Sequence, residues 1–217
     1  MRLPITQTSL HRTFQASAKN TKLATSQLLK PVSVLQTRKM ASAPNDLNIE
    51  NTNIKTASGV TLDDQQKTLV GSVLDLFAGR PSLKKLQLWA DDGTFEDPIT
   101  RAVGRAQYEP QWYGLQTAFS EIERLHHEVT SGGNPISMDL RTRYVIKGIN
   151  KEQTIDSKVN IFYDNATGKI TKVEDKWDGK LPDSSIQNAF RKINAVTVPK
   201  MVGVPKNDEE DAARGNQ

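Results

Sequence analysis

The apolar positions of this chain fall into two periods. Leu69, Val70, Val73, Leu74 and Phe77 recur at steps of three and four until Gly79, which predicts an amphipathic helix, with Thr61 and Asp64 as its capping pair. Pro81 suits the first turn of a second helix carrying Leu83, Leu86 and Trp89 and broken by Asp91, Asp92 and Gly93. A third helix is predicted over 104–119, with Tyr108, Trp112 and Leu115 on one side and Pro110 tolerated near its start. After Phe119 the period drops to two. Residues 121–129 present Leu125, His127 and Val129 to one face. Ile136, Met138, Leu140, Thr142, Tyr144 and Ile146 alternate with polar residues, Ile155 to Tyr163 repeat the pattern, and a turn over 164–168 leads to a last strand over 170–178. A final amphipathic helix over 183–194 offers Ile186, Phe190 and Ile193. Helices first and strands afterwards predict one α+β domain: a cone-shaped α+β barrel of three N-terminal helices on a curved antiparallel sheet, plus a C-terminal helix.

Charge divides the chain differently. The 217 residues carry a formal charge of +4, but residues 1–45 hold seven Lys or Arg and no Asp or Glu, leaving 22 basic and 25 acidic residues for the rest. The folding body is therefore mildly acidic, which argues against a nucleic-acid partner. An acid-free, Arg- and Ser-rich leader predicts a mitochondrial transit peptide to the matrix, and Arg12, Phe14 and Ser17 stand at the spacing of a presequence cleavage pattern. The alternative is a cytoplasmic form starting at Met40. We expect a linker over 46–57, the domain over 58–182, a C-terminal helix and extension over 183–200, and a disordered, solvated tail over 201–217. No run reaches the roughly 18 apolar residues of a membrane span. The absence of cysteine removes disulfides and thiolate chemistry, and the adjacent His126 and His127 point to opposite faces of a strand, so neither a metal nor another cofactor is expected.

Chemistry concentrates in Trp89-Ala-Asp-Asp-Gly-Thr-Phe-Glu-Asp-Pro98, followed by Val103-Gly104-Arg105. Over residues 62–180 the chain resembles the nuclear transport factor 2-like superfamily, with its SnoaL-like and ketosteroid-isomerase-like domains, and in type its uncharacterised fungal and plant members. The resemblance implies a cone fold and puts the isomerases' general base on Asp97. Read from the residues, period two places Asp97 on the side of Phe95, and a carboxylate buried there becomes a base near neutral pH; the other reading is a turn at Asp97-Pro98. The pattern then departs from the isomerases. Where they carry a Tyr and an acid that stabilise an enolate, this chain has Val73 and, near the strand position, Val159, which argues against steroid isomerase activity.

If the apolar face of each strand is the concave one, His127, Tyr144, Ser157, Asp175 and Trp177 point inward, with Tyr108 and Trp112 near the mouth. Asp97, His127 and Asp175 are the candidate catalytic residues. Tyr108, Trp112, Tyr144, Ser157 and Trp177 are the candidate ligand contacts, and His127 has the alternative of a satisfied core histidine. Arg141, Arg143, Asp139 and Lys158 form a solvated outer face or a sheet-to-sheet homodimer contact. Two functions follow: a domain binding a small apolar molecule without catalysis, or a cofactor-free lyase or isomerase with Asp97 as base. A cavity below about 100 Å3 would not hold a drug-sized ligand and would count against the enzyme.

Overall fold

The computed structural model describes residues 46–179, 184–192 and 203–215. The leader over 1–45, the start at Met40 and Ile193 lie outside the described residues. The first helix, α1 (Asp64–Phe77), is capped two residues later than expected, at Asp63 rather than Thr61. Asp63 Oδ1 accepts from Gln66 N at 2.7 Å while Gln66 Oε1 accepts from Asp63 N at 3.0 Å, a reciprocal pair that the shorter Asp64 side chain cannot complete with Thr61. Leu69, Val70, Val73, Leu74, Leu76 and Phe77 are all buried on it, so the helix is enclosed on more than one side.

One of those sides is covered by residues 46–57. Expected as a linker, they instead pack as a strap, with Leu47 and Ile49 buried. The strap crosses α1 at Gly71, where a Cβ would meet the Asn51 carbonyl oxygen at 2.6 Å, so only glycine admits the crossing. It then extends the sheet: Val129 N donates to Lys55 O and Ala57 N to Val129 O, both at 2.9 Å.

The second helix is a single turn, α2 (Leu83–Leu86), and Trp89 begins a strand rather than ending a helix. Trp89 sits three residues after Leu86, at helical spacing, but pairing with Ile170 carries the chain into β1 (Trp89–Asp97), and tertiary pairing overrides the local period. A tight return makes β2 (Thr100–Val103), Gly104 turns the chain, and α3 (Arg105–Ala118) follows with Pro110 inside it. The remaining strands are β3 (Phe119–Ser131), β4 (Ile136–Ile146), β5 (Glu152–Tyr163) and β6 (Ile170–Trp177), in the order β2-β1-β6-β5-β4-β3. The expected α+β arrangement of helices on a curved sheet holds, but the sheet is open, with β2 and β3 as its edges, and β1 lies parallel to β6, so the expectation of an antiparallel barrel is corrected in these two details. Register shifts in β1, β3 and β5 break the ladder locally and bend it.

Alternation on β4 is regular. Ile136, Met138, Leu140, Thr142, Tyr144 and Ile146 are buried. On the opposite face, Arg143 pairs with Glu121, Glu123 and Glu152, Arg141 with Asp156, and Lys158 with Asp139. These exposed pairs are each worth about 0–1 kcal/mol, and their role is to keep that face polar.

Two C-terminal pieces complete the described chain. The helix α4 (Ser184–Lys192) seats Phe190 on Phe119, Tyr144 and Trp177 at ring-centroid distances of 4.9, 5.3 and 5.4 Å. Residues 203–215, expected to be solvated, contain α5 (Asp208–Ala213), capped by Asn207. Its Asp211 is buried and accepts from Leu83 N at 2.6 Å and Tyr113 Oη at 2.9 Å. An acidic run that reads as solvent-seeking thus supplies a first-turn N–H of α2 with the acceptor it lacks within the helix. None of the described helices is long and apolar enough to cross a membrane.

The strap, α1 and α2 meet at one buried ion pair. Asp75 Oδ2 lies 3.0 Å from Lys85 Nζ, and neither side chain is exposed. Asp75 also accepts from Glu50 N at 2.9 Å, Asn51 N at 3.1 Å and Asn51 Nδ2, while Lys85 Nζ donates to Arg80 O at 3.0 Å. Removing one partner leaves a buried charge unpaired, which costs roughly 3–5 kcal/mol. Asp75→Ala is therefore expected to lower the melting temperature sharply and to remove amide protection at Glu50 and Asn51, read by thermal denaturation and hydrogen exchange. The double variant Asp75→Leu/Lys85→Met should recover much of the loss; an Asp75→Ala protein as stable as wild type would contradict the role given to the pair.

Candidate functional site

The strand register brings two acids together. On β1, period two puts Phe95 and Asp97 on one face, and on β6 it does the same for Val173, Asp175 and Trp177. Because β1 pairs parallel with β6 as Phe95↔Val173 and Glu96↔Glu174, the next step sets Asp97 beside Asp175. Both carboxylates line a cavity closed by Phe77 of α1, by Gln111, Trp112 and Leu115 of α3, by Tyr144 of β4, Ile155 of β5 and Trp177 of β6, and by Phe190 of α4. Its volume is about 20 Å3, room for one or two waters. The wall is mostly aromatic: Trp112 meets Phe95 at 4.6 Å and Phe77 edge-on at 5.2 Å.

Burial sets the protonation of this pair. Asp97 is pushed up to about 7, first by desolvation; the N–H of Ile99, donating to Oδ1 at 2.8 Å, pulls it down, and the neighbouring Asp175 raises it again. Asp175 is pushed up to about 6 by desolvation, against hydrogen bonds from Ser157 and from Trp177 Nε1, which donates to Oδ2 at 2.7 Å. The Tyr144 hydroxyl is raised above its ordinary value by burial, then by Asp175, so it remains a proton-bearing donor. Two buried acceptors carried by lining residues, Asp175 Oδ1 and Gln111 Oε1, have no hydrogen-bond partner among the described residues. Trp112 Nε1, a donor, is likewise unpartnered.

Of the residues expected from sequence, Asp97, Trp112, Tyr144, Asp175 and Trp177 converge on the cavity. Ser157 reaches it only through its hydrogen bond to Asp175. Tyr108 is not at a mouth; it is fully buried on Trp89, with its hydroxyl donating to Ala90 O at 3.0 Å. His127 is not in the site either. Its Nε2 accepts from Lys55 N at 3.1 Å, and burial, then Arg124 and Lys55, hold it down at about 4, so it is a neutral imidazole fastening the strap. The register keeps His127 on the buried face, opposite Leu140, but it stands on the edge strand β3, where the strap covers it; of the residues expected on that face, the shift between Arg124 and His126 leaves only Leu125 exposed. Gln111 and Phe190 are site residues that the sequence reading missed. Gln111 lies one helical turn before Leu115, a polar residue on an apolar stripe, and that was its available signal. Phe190 carried none, since nothing in the local pattern says where its helix docks.

No family model and no curated protein matches the chain. Solved structures do resemble it. A steroid delta-isomerase from Pseudomonas aeruginosa has a TM-score of 0.46 at 15% identity, covering 62% of this chain and 92% of that one. An NTF2-like protein from Anabaena variabilis has a TM-score of 0.47 at 15% identity, covering 57% and 97%. A putative SnoaL-like polyketide cyclase from Shewanella denitrificans has 0.44 at 15% identity, covering 52% and 90%. The likeness is one of fold outline, and the site rests on this chain's own residues.

The carboxylate pair makes stability depend on pH. With Asp97 at about 7 in the folded protein and 3.8 as its ordinary value, the folded state holds more protons than the unfolded one between about pH 4 and 7. Stability contributed by that proton is present at low pH and is lost as pH rises through this interval. Asp97→Asn removes the term, so it should match wild type near pH 4 and exceed it above pH 7 by roughly 2 kcal/mol, after discounting for partial exposure. Melting temperatures of both proteins from pH 4 to 8 read this; parallel curves would show that Asp97 titrates as an exposed acid.

Proposed function

We propose that this protein is a small-molecule-binding domain whose ligand sits between Asp97 and Asp175. The observation that carries this reading is the presence of buried acceptors without a protein partner, Asp175 Oδ1 and Gln111 Oε1, in a cavity walled by aromatic rings. Each such group costs about 1–3 kcal/mol when left unpaired, and a bound molecule that donates to them recovers that cost. The volume of about 20 Å3 falls below the limit of about 100 Å3 set for a drug-sized ligand, so the occupant is a compound of a few heavy atoms unless Phe190 moves aside.

A second reading keeps Asp97 as a general base in a lyase or isomerase; the cavity of about 20 Å3, below the limit of about 100 Å3, counts against it unless Phe190 moves aside. It is favoured by the value near 7, close to the pH at which a base works best, and by Tyr144, whose buried hydroxyl offers the donor absent at Val73 and Val159. Delivery to the mitochondrial matrix by residues 1–45 is part of the proposal and is supported by their acid-free composition. Pairing of two copies through the sheet is a further part of the proposal, with the face that carries Arg143 as its contact.

Mass spectrometry of solvent extracts from the full chain, purified from its source, is the test. A bound small molecule is expected with wild type and not with Asp175→Ala. Asp97→Asn should retain the molecule if Asp97 acts as a base and lose it if Asp97 only binds. Wild-type protein that releases nothing, and takes up nothing from a small-metabolite panel, would overturn the binding reading.

A further inference from the structure

We propose that the molecule held between Asp97 and Asp175 is a small primary ammonium compound of the size of ammonium or methylammonium; this rests on the small-molecule-binding reading above. The first support is charge. The cavity receives two carboxylates and, among its lining residues, no lysine, arginine or histidine. The lining contributed by α1, α3, β5 and α4 carries no charge, and Tyr144 of β4 is the only other titratable group. Two adjacent acids with no cation facing them are costly unless protons or a bound cation neutralise them.

Hydrogen bonding gives the second support. Asp175 is 7% exposed and Gln111 3%, both line the cavity, and each carries an oxygen without a hydrogen-bond partner among the described residues. Apart from Trp112 Nε1, the unpartnered atoms of the lining are acceptors, which calls for a ligand rich in donors. A primary ammonium offers three N–H donors: one to Asp175 Oδ1, one to Gln111 Oε1 and one towards the Asp97 carboxylate. The third support is the wall. Phe77, Phe95, Trp112, Tyr144, Trp177 and Phe190 surround the acids with ring faces and edges, and a ring face attracts an organic cation by its quadrupole while its apolar surface takes the methyl group. Size agrees, since a space for one or two waters admits ammonium or methylammonium and excludes larger amines. A metal ion is served less well: among the described residues no three His, Cys, Asp or Glu side chains gather as a ligand set.

Titration of the full chain with methylammonium, methanol and potassium at pH 8 and matched ionic strength tests this, followed through the fluorescence of Trp112 and Trp177 and by NMR. Methylammonium should bind at least about tenfold more tightly than methanol or potassium. Its affinity should fall as pH drops through the range from about 7 to 6, where Asp97 and Asp175 take up protons that compete with the cation. Asp97→Asn/Asp175→Asn should abolish the preference over methanol, and either single substitution should weaken it if the double variant does not fold. Methanol or potassium binding as well as methylammonium would overturn the ammonium assignment while leaving the small-molecule reading in place. Failure of every probe to bind would also overturn the ammonium assignment, and the small-molecule reading falls with it only when the solvent extracts and the metabolite panel are empty as well.

Discussion

A buried charge must be paired where it lies, and the pairing of Asp75 with Lys85 holds the helical half of this protein in place. Asp75 sits two residues before Phe77, so the same turn of α1 that anchors α2 and the strap also delivers a wall of the cavity. Four further hydrogen bonds surround the pair and satisfy both groups, three of them tying Asp75 to residues 50 and 51. The strap then runs on to His127 and Val129 at the edge of β3, so that one ion pair links the first helix, the second helix and the far edge of the sheet.

The carboxylates of the cavity follow the opposite logic. Asp97 and Asp175 are brought together by a parallel register that places like groups side by side, and among the described residues no cationic side chain lines the space they share. Desolvation raises both, so protons stand where a counter-ion is missing. At Asp75 the fold supplies the cation itself. At Asp97 and Asp175 it leaves an acidic, aromatic space closed by Phe190, and that contrast separates an acid paired within the fold from two that are not.

The helices α1 and α3 and the strands β4, β5 and β6 were legible because their apolar positions repeat at the period of the element they form. Asp97 beside Phe95 and Asp175 beside Trp177 were legible for the same reason. What failed did so where a distant contact overruled a local pattern. Trp89 fits a helix by spacing and a strand by its pairing with Ile170. Asp211 lies in an acidic run that reads as solvated until Leu83 and Tyr113 provide donors for it. His127 lies on the buried face as its alternation says, but on an edge strand covered by the strap, where it accepts from Lys55.

By itself, then, the amino-acid sequence determined α1, α3 and the strands after Phe119, their order, the faces they bury and the presence of acids on two of those faces, because periodicity and burial are properties of short stretches of chain. Only the tertiary structure decided that β1 runs parallel to β6 and so joins Asp97 to Asp175, that the sheet stays open, and that Gln111 and Phe190 complete the site. Those outcomes depend on register and docking between segments far apart in the chain, and no local pattern of residues carries that information.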